Sequence, residues 1–169
     1  RQTGQQLMER ETNMMKWAVM GLSLATLAGC VAIDATDTNY NDRGIKHVGS
    51  QAFGGAVLPF SKAVVVDNLI FISGELGIDP ETGKVVPGGT GPETTQIFKN
   101  IERTLAGLDS DLTNVVKCTV YIGDMANYAE MNAAYTLALP DPKPSRATVG
   151  VNGLAAGASL EIDCIAVKS

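Results

Sequence analysis

Apolar positions along the chain follow two rhythms after Ile45, a period of two in short β-branched runs and a period near 3.6 in two longer segments. "GIKHVGS" predicts a short first strand. "KAVVVDNLIFISGEL" predicts two strands joined by Asp67-Asn68, a pair suited to a tight hairpin turn. "GIDPETGKVVPGGTGP" is punctuated by Gly and Pro and predicts a loop. Thr90 and Glu93 have the spacing of a capping box, with Pro92 tolerated in the first turn. Behind them Ile97, Ile101, Leu105 and Leu108 recur at helical spacing, and Gly107 falls where that helix can stop. "NVVKCTVYIGD" alternates as a strand does. Asp124 can cap a second helix, "MANYAEMNAAYTLAL", which Pro140 terminates. "SRATVGV" and "ASLEIDCIAV" predict the last two strands. The order β-ββ-α-β-α-β-β predicts an α+β fold: a two-layer sandwich in which two helices cover one face of a mixed sheet.

Residues 1–44 lack this patterning. Residues 1–13 are polar and read as an upstream extension. After Met14-Met15-Lys16, an apolar run from Trp17 to Ala28 is too short to span a bilayer but fits a secretory hydrophobic segment. It closes on Leu27-Ala28-Gly29-Cys30, similar to the lipobox of bacterial lipoproteins, in which cleavage precedes a lipidated Cys. On that expectation residues 1–29 are an extension and signal peptide, and Cys30 carries the membrane attachment. The polar residues 30–44 then form a tether, and residues 45–169 form the domain. The expected location is the periplasmic side of a bacterial envelope, the alternative being the cytoplasm. A buried helix that happens to contain a Cys is the competing structural reading of residues 14–30.

Composition narrows the function. Hydrophobic residues at 45% and charged residues at 18% describe an ordinary globular chain. Asp and Glu exceed Lys and Arg by 18 to 13, for a net charge of −5, and without residues 1–29 the balance is −6. That sign, with no basic cluster, argues against a nucleic-acid surface. A single histidine, His47, and three cysteines without a C-x-x-C pair argue against a structural metal site. Cys118 and Cys164 read as core thiols without chemistry, although the sequence leaves their pairing open. His47, in the opening strand, reads as structural.

Several polar residues stand in apolar company. Tyr128, Asn132, Tyr135 and Leu139 recur at helical steps, which places Asn132 on the stripe expected to be buried. A buried amide without partners costs roughly 1–3 kcal/mol, so Asn132 either bonds a loop carbonyl or lines a pocket. Glu161 and Asp163 share a strand face with Ile165 and Val167, the ordinary pattern of a solvated face. Arg146 opens a strand directly after "PKPS" and alternates to the same side as Thr148. Its planar, permanently charged fork suits a carboxylate, which makes a small anionic ligand plausible there.

The motifs "NLIFISGELGIDPETGKVV", "NVVKCTVYIGDMANYAEMNAAY", "PSRATV" and "LEIDCIAV", in this order, resemble the reactive intermediate deaminase family, RidA or YjgF-like, over residues 45–169. The resemblance implies a chorismate-mutase-like fold and a homotrimer with active sites in clefts between subunits. It implies hydrolysis of enamine and imine acids such as 2-aminoacrylate to 2-keto acids and ammonia, with no cofactor or metal. By position, Arg146 matches the arginine that clamps the substrate carboxylate, and Glu161 the acid that positions water or shuttles its proton. Ser73, Asn132, Thr148 and Phe60 match pocket positions. Thr148 stands where the family often has Cys, and Phe60 where many members have Tyr. Glu75 replaces a frequent Gln and, facing the cleft, would repel an anionic substrate. A trimeric carboxylate-binding protein without catalysis is the alternative function, and RNA cleavage, reported for some relatives, is disfavoured by the acidic charge.

Overall fold

The computed structural model describes residues 38–40, 44–53 and 56–169. The elements are strands β1 (Thr38–Tyr40), β2 (Ile45–Phe53), β3 (Ala56–Val66), β4 (Leu69–Leu76), β5 (Ile78–Asp79) and β6 (Lys84–Val85), then helix α1 (Thr90–Ala106). There follow β7 (Val115–Ile122), helix α2 (Tyr128–Ala138), β8 (Ser145–Gly150) and β9 (Leu160–Val167). Among the described residues the main sheet has the order β1-β2-β3-β4-β9-β7-β8, and β5 pairs only with β6. Neighbours run antiparallel except β7 and β8, which are parallel and therefore need the α2 crossover. The α+β sandwich with a mixed sheet and two helices is thus the observed fold.

Period-two alternation decides which face is buried. Along β9 Leu160, Ile162, Cys164 and Ala166 are buried, while Glu161, Asp163, Ile165 and Val167 are only partly so. The buried set meets Ile97, Phe98, Ile101 and Leu105 of α1 and Met131 and Tyr135 of α2 in one core. Each such side chain contributes about 1.5–3 kcal/mol on leaving water. Phe98 and Tyr135 join the two helices edge to face, 5.2 Å between centroids.

Asp67-Asn68 forms the expected turn, with Val66 opposite Leu69 and Asp67 at a φ of 54°. Four local expectations are corrected. The first strand is longer than "GIKHVGS" and is continued by pairing with β3, while Thr38–Tyr40, inside the polar span read as a tether, pairs with Lys46–Val48. The Pro/Gly-rich loop contains the small β5–β6 hairpin. No capping box forms: Gly89 is the N-cap, and buried Glu93 accepts hydrogen bonds from the Ser159 N–H (2.8 Å) and hydroxyl (2.6 Å). A carboxylate buried between α1 and the turn ahead of β9 takes its partners there, because burial without them is costly. Asp124 caps a single 3₁₀ turn, Met125–Asn127, that precedes α2.

Cys118 and Cys164 form a disulfide. They stand directly opposite each other across β7 and β9, with Cα atoms 4.1 Å apart, so their expected reading as inert thiols is replaced by a covalent strand-to-strand link. His47 is exposed, with Nδ1 3.2 Å from the Ser61 hydroxyl on the neighbouring strand. Cys30 and the leader lie outside the described residues.

Candidate active site

Arg146 lies on the edge strand β8, opposite Cys118, and Thr148 lies opposite Val120. Since Cys118 and Val120 are buried core residues, both side chains face the helix layer. The guanidinium lies against α2. Its Nη2 donates to the Tyr128 hydroxyl at 2.9 Å, and Cζ sits 4.6 Å from the Tyr135 ring centroid and 5.7 Å from that of Tyr128. Two aromatic faces thus hold the cation without neutralising it. Among the described residues no acid pairs with Arg146, leaving charged N–H groups for a ligand. The Tyr135 hydroxyl and Thr148 Oγ1 are buried and have no partner among the described residues. Burial pushes the Tyr135 phenol up, with Arg146 pulling the other way.

The buried stripe of α2 runs through Met131 and Tyr135, and Asn132 is half-buried beside it, which corrects its expected place on the stripe. The helix begins three residues later than "MANYAEM" suggested, behind the 3₁₀ turn, and Met131 takes the core position.

Glu161 is positioned differently. It stands opposite Tyr121 on β7 and Leu76 on β4, on the face away from the helices. There β4 carries a bulge between Ile72 and Glu75, formed at Ser73-Gly74. A Cβ added to Gly74 would fall 1.8 Å from Glu161 Oε1 and 2.7 Å from Cδ, so the carboxyl rests on bare backbone. The Ser73 hydroxyl donates to the Ser61 carbonyl at 2.7 Å, tying the bulge to β3 next to Phe60, which is 46% exposed. Partial burial raises the Glu161 carboxyl above its ordinary value, and the charges of Asp163 and Glu75 add to this. Asp163, read from sequence as a plain surface acid, accepts a hydrogen bond from the Tyr121 hydroxyl at 3.0 Å.

Glu75 does not stand as an open negative charge. It is 6% exposed, ion-paired with Lys62, and close to Asn100 and Arg103 of α1. Burial raises its carboxyl, and Lys62 opposes that. Burial and the Lys62 ion pair thus offset the repulsion expected of a cleft-facing acid.

Six site residues named from sequence thus fall into two groups. Arg146 and Thr148 face the helix layer, with Asn132 on α2; Glu161 lies on the open face against Gly74, next to Ser73 in the bulge, with Phe60 beside the carbonyl that holds Ser73. Tyr121 is three residues along β7 from Cys118 and hence on the other face, so Arg146 and Glu161 project from opposite sides of the sheet. Sequence reading missed Tyr128 and Tyr135 as supports of Arg146, and Gly74 as the seat of Glu161.

A guanidinium without an acid partner among the described residues on one face, and a carboxyl of raised proton affinity on the other, mark a small α+β protein. Comparison with known proteins places it further. The chain belongs to the family described as Endoribonuclease L-PSP, whose profile matches residues 49–168, and with it to the RidA/YjgF group. It is 42% identical over 113 residues to a 2-iminobutanoate/2-iminopropanoate deaminase of Bos taurus, covering 67% of this chain and 82% of that protein. It is 38% identical over 119 residues to Reactive Intermediate Deaminase A, chloroplastic, of Arabidopsis thaliana, covering 70% and 64% respectively. Among solved structures, RidA from the Antarctic bacterium Psychrobacter sp. PAMC 21119 superposes with a TM-score of 0.64 at 35% identity, covering 70% of this chain and 97% of that one. Yeast Mmf1 gives a TM-score of 0.67 at 33% identity over 74% and 99%.

Proposed function

We propose that the protein hydrolyses 2-enamine and 2-imine acids to 2-keto acids and ammonia. The observation that carries this reading is Arg146: a half-buried guanidinium with no acid partner among the described residues, bracketed by Tyr128 and Tyr135 and next to a buried hydroxyl. It binds the substrate carboxylate as a bidentate fork. Glu161, whose proton affinity is elevated, takes a proton from the attacking water and passes it to the leaving nitrogen. Ser73, Asn132, Thr148 and Phe60 line the pocket and orient the planar C=N group. Two relatives bear deaminase names, which supports the same chemistry here. The family description names an endoribonuclease, but a net charge of −5 opposes capture of a phosphate backbone.

Because fork and carboxyl leave opposite faces, the working site joins the Arg146 side of one copy to the Glu161 side of another. We assign the assembly as a homotrimer with three such clefts. Exposed Leu69 and Phe71 on the open face of β4 favour burial against another copy.

A coupled assay generating 2-aminoacrylate in situ tests the proposal. Wild-type protein accelerates ammonia release, whereas R146A and E161Q alone do not. Co-assembled R146A and E161Q chains recover part of the rate, since some clefts then contain both intact residues. Tight binding of a 2-keto acid without acceleration would instead identify a carboxylate-binding protein.

For the leader we retain the lipoprotein reading, with Cys30 as the lipidated residue. The Cys118–Cys164 bond supports it, because structural disulfides persist mainly in oxidising compartments. The cytoplasm is the alternative, and the mass of the mature N-terminus decides between them.

A further inference from the structure

We infer that Asp163, held in place by the Tyr121 hydroxyl, is a positioning residue that keeps Glu161 able to carry a proton. The inference rests on the proposed imine hydrolysis and concerns what makes one ordinary acid sufficient for it.

The geometry is a three-residue cluster on the open face. Glu161 and Asp163 are two residues apart on β9 and project to the same side. Tyr121 stands directly opposite Glu161, and Thr119 directly opposite Asp163. The Tyr121 phenol therefore crosses the ladder diagonally to reach Asp163 Oδ2 at 3.0 Å. That bond stops the Asp163 carboxylate from swinging away from Glu161. On the other flank Gly74 presents only backbone to the Glu161 carboxyl. The further charges around Glu161 are Glu75 on β4, already occupied by Lys62, and Lys117 on β7, paired with Ile165 two pairs beyond Asp163. Arg103 of α1 faces Glu75 rather than Glu161. Glu161 is thus flanked by two acids, one ion-paired and one held by a phenol. Burial raises its proton affinity first, and the charge of Asp163 adds to it by disfavouring a second ionisation nearby.

The chemistry requires that proton. The Glu161 carboxylic acid donates to C3 of the enamine; the C=C pair forms the C3–H bond, and the nitrogen lone pair forms the C=N⁺ bond. The resulting carboxylate removes a proton from water as oxygen adds to C2 and the C=N pair returns to nitrogen. The acid then protonates that nitrogen, the C–N pair departs with ammonia, and the carboxylate recovers the hydroxyl proton as the C=O bond forms. One group gives a proton twice and recovers it twice. A carboxyl at its ordinary value would stand ionised near neutral pH and miss the first donation.

Protein labelled with ¹³C at Glu Cδ, with the Glu161 signal assigned by its loss in E161Q, gives the titration directly. Asp163→Asn lowers the Glu161 midpoint, while Asp163→Glu restores it. Tyr121→Phe, which frees Asp163 to turn away, also lowers the Glu161 midpoint. In kinetics D163N moves the alkaline limb of kcat to lower pH with KM little changed, a change that a merely structural role would not produce. An unshifted Glu161 midpoint in both D163N and Y121F overturns the inference. Absent wild-type turnover overturns the deaminase reading instead, and the titration distinguishes the two failures.

Discussion

Gly74→Ala separates catalysis from folding. Gly74 does not have a positive φ, so alanine suits its backbone. Its new Cβ would lie 1.8 Å from Glu161 Oε1, whereas ordinary contact begins at 3.4 Å, so the oxygen must retreat by about 1.6 Å. The obstructing atom is the end of a flexible, half-buried side chain, and rotation relieves the overlap without moving a strand. Misplacement by ~1 Å can cost on the order of 10²-fold in rate, or about 2.7 kcal/mol of transition-state stabilisation. We therefore expect kcat/KM for imine hydrolysis to fall at least ~10²-fold while the melting temperature stays within ~4 °C of wild type. Gly77→Ala is the control. There the Cβ would lie 2.8 Å from the Cα of Glu93, backbone that cannot rotate aside, so the fold itself is destabilised. Ammonia release and thermal melts on both variants test the argument. Near-wild-type turnover by G74A would refute the claim that the bulge seats the catalytic carboxyl, and unfolding of G74A would make Gly74 a packing residue.

The disulfide and the buried Glu75 give two other outcomes. Reduction of Cys118–Cys164, a link across a sequence separation of 46, lowers stability by about 4 kcal/mol on the chain-entropy relation, read as a drop in urea midpoint between oxidised and reduced protein. Glu75, raised in the folded state from an ordinary value of 4.5, binds its proton more tightly folded than unfolded. Its contribution is complete below about pH 4.5 and lost as pH rises through the folded value. Glu75→Gln flattens that decline in a pH series of urea melts, and an unchanged slope would remove Glu75 as its source.

What could be read from sequence was local. The Asp67-Asn68 turn, the Ile97–Ile101–Leu105 stripe and the alternation of β9 each follow from a few neighbouring residues, and each is present. What was missed depends on partners far along the chain. Thr90 and Glu93 have capping-box spacing, yet the Glu93 carboxylate is claimed by Ser159, 66 residues away. Cys118 and Cys164 alternate as core residues whether or not they bond, and only the β7–β9 register brings them face to face. The β5–β6 hairpin consists of two-residue strands, too short to leave a periodic signal.

The same limit governs the site, where it has a functional consequence. Resemblance named Arg146 and Glu161 together, and each lies on a strand whose alternation is plain in the sequence. Their relative side is set by two registers read in succession, Arg146 to Cys118 across a parallel pair and Glu161 to Tyr121 across an antiparallel one. Cys118 and Tyr121 are an odd number of residues apart, so the two side chains leave opposite faces. A slip of one residue in either pairing would bring them to one face and allow a site within a single chain, but it would also turn the buried Ile162 and Cys164, or Thr148, out of the positions they occupy. The core that fixes the register thereby forces Arg146 and Glu161 onto different faces, which is why the proposed site needs a second copy to bring them together.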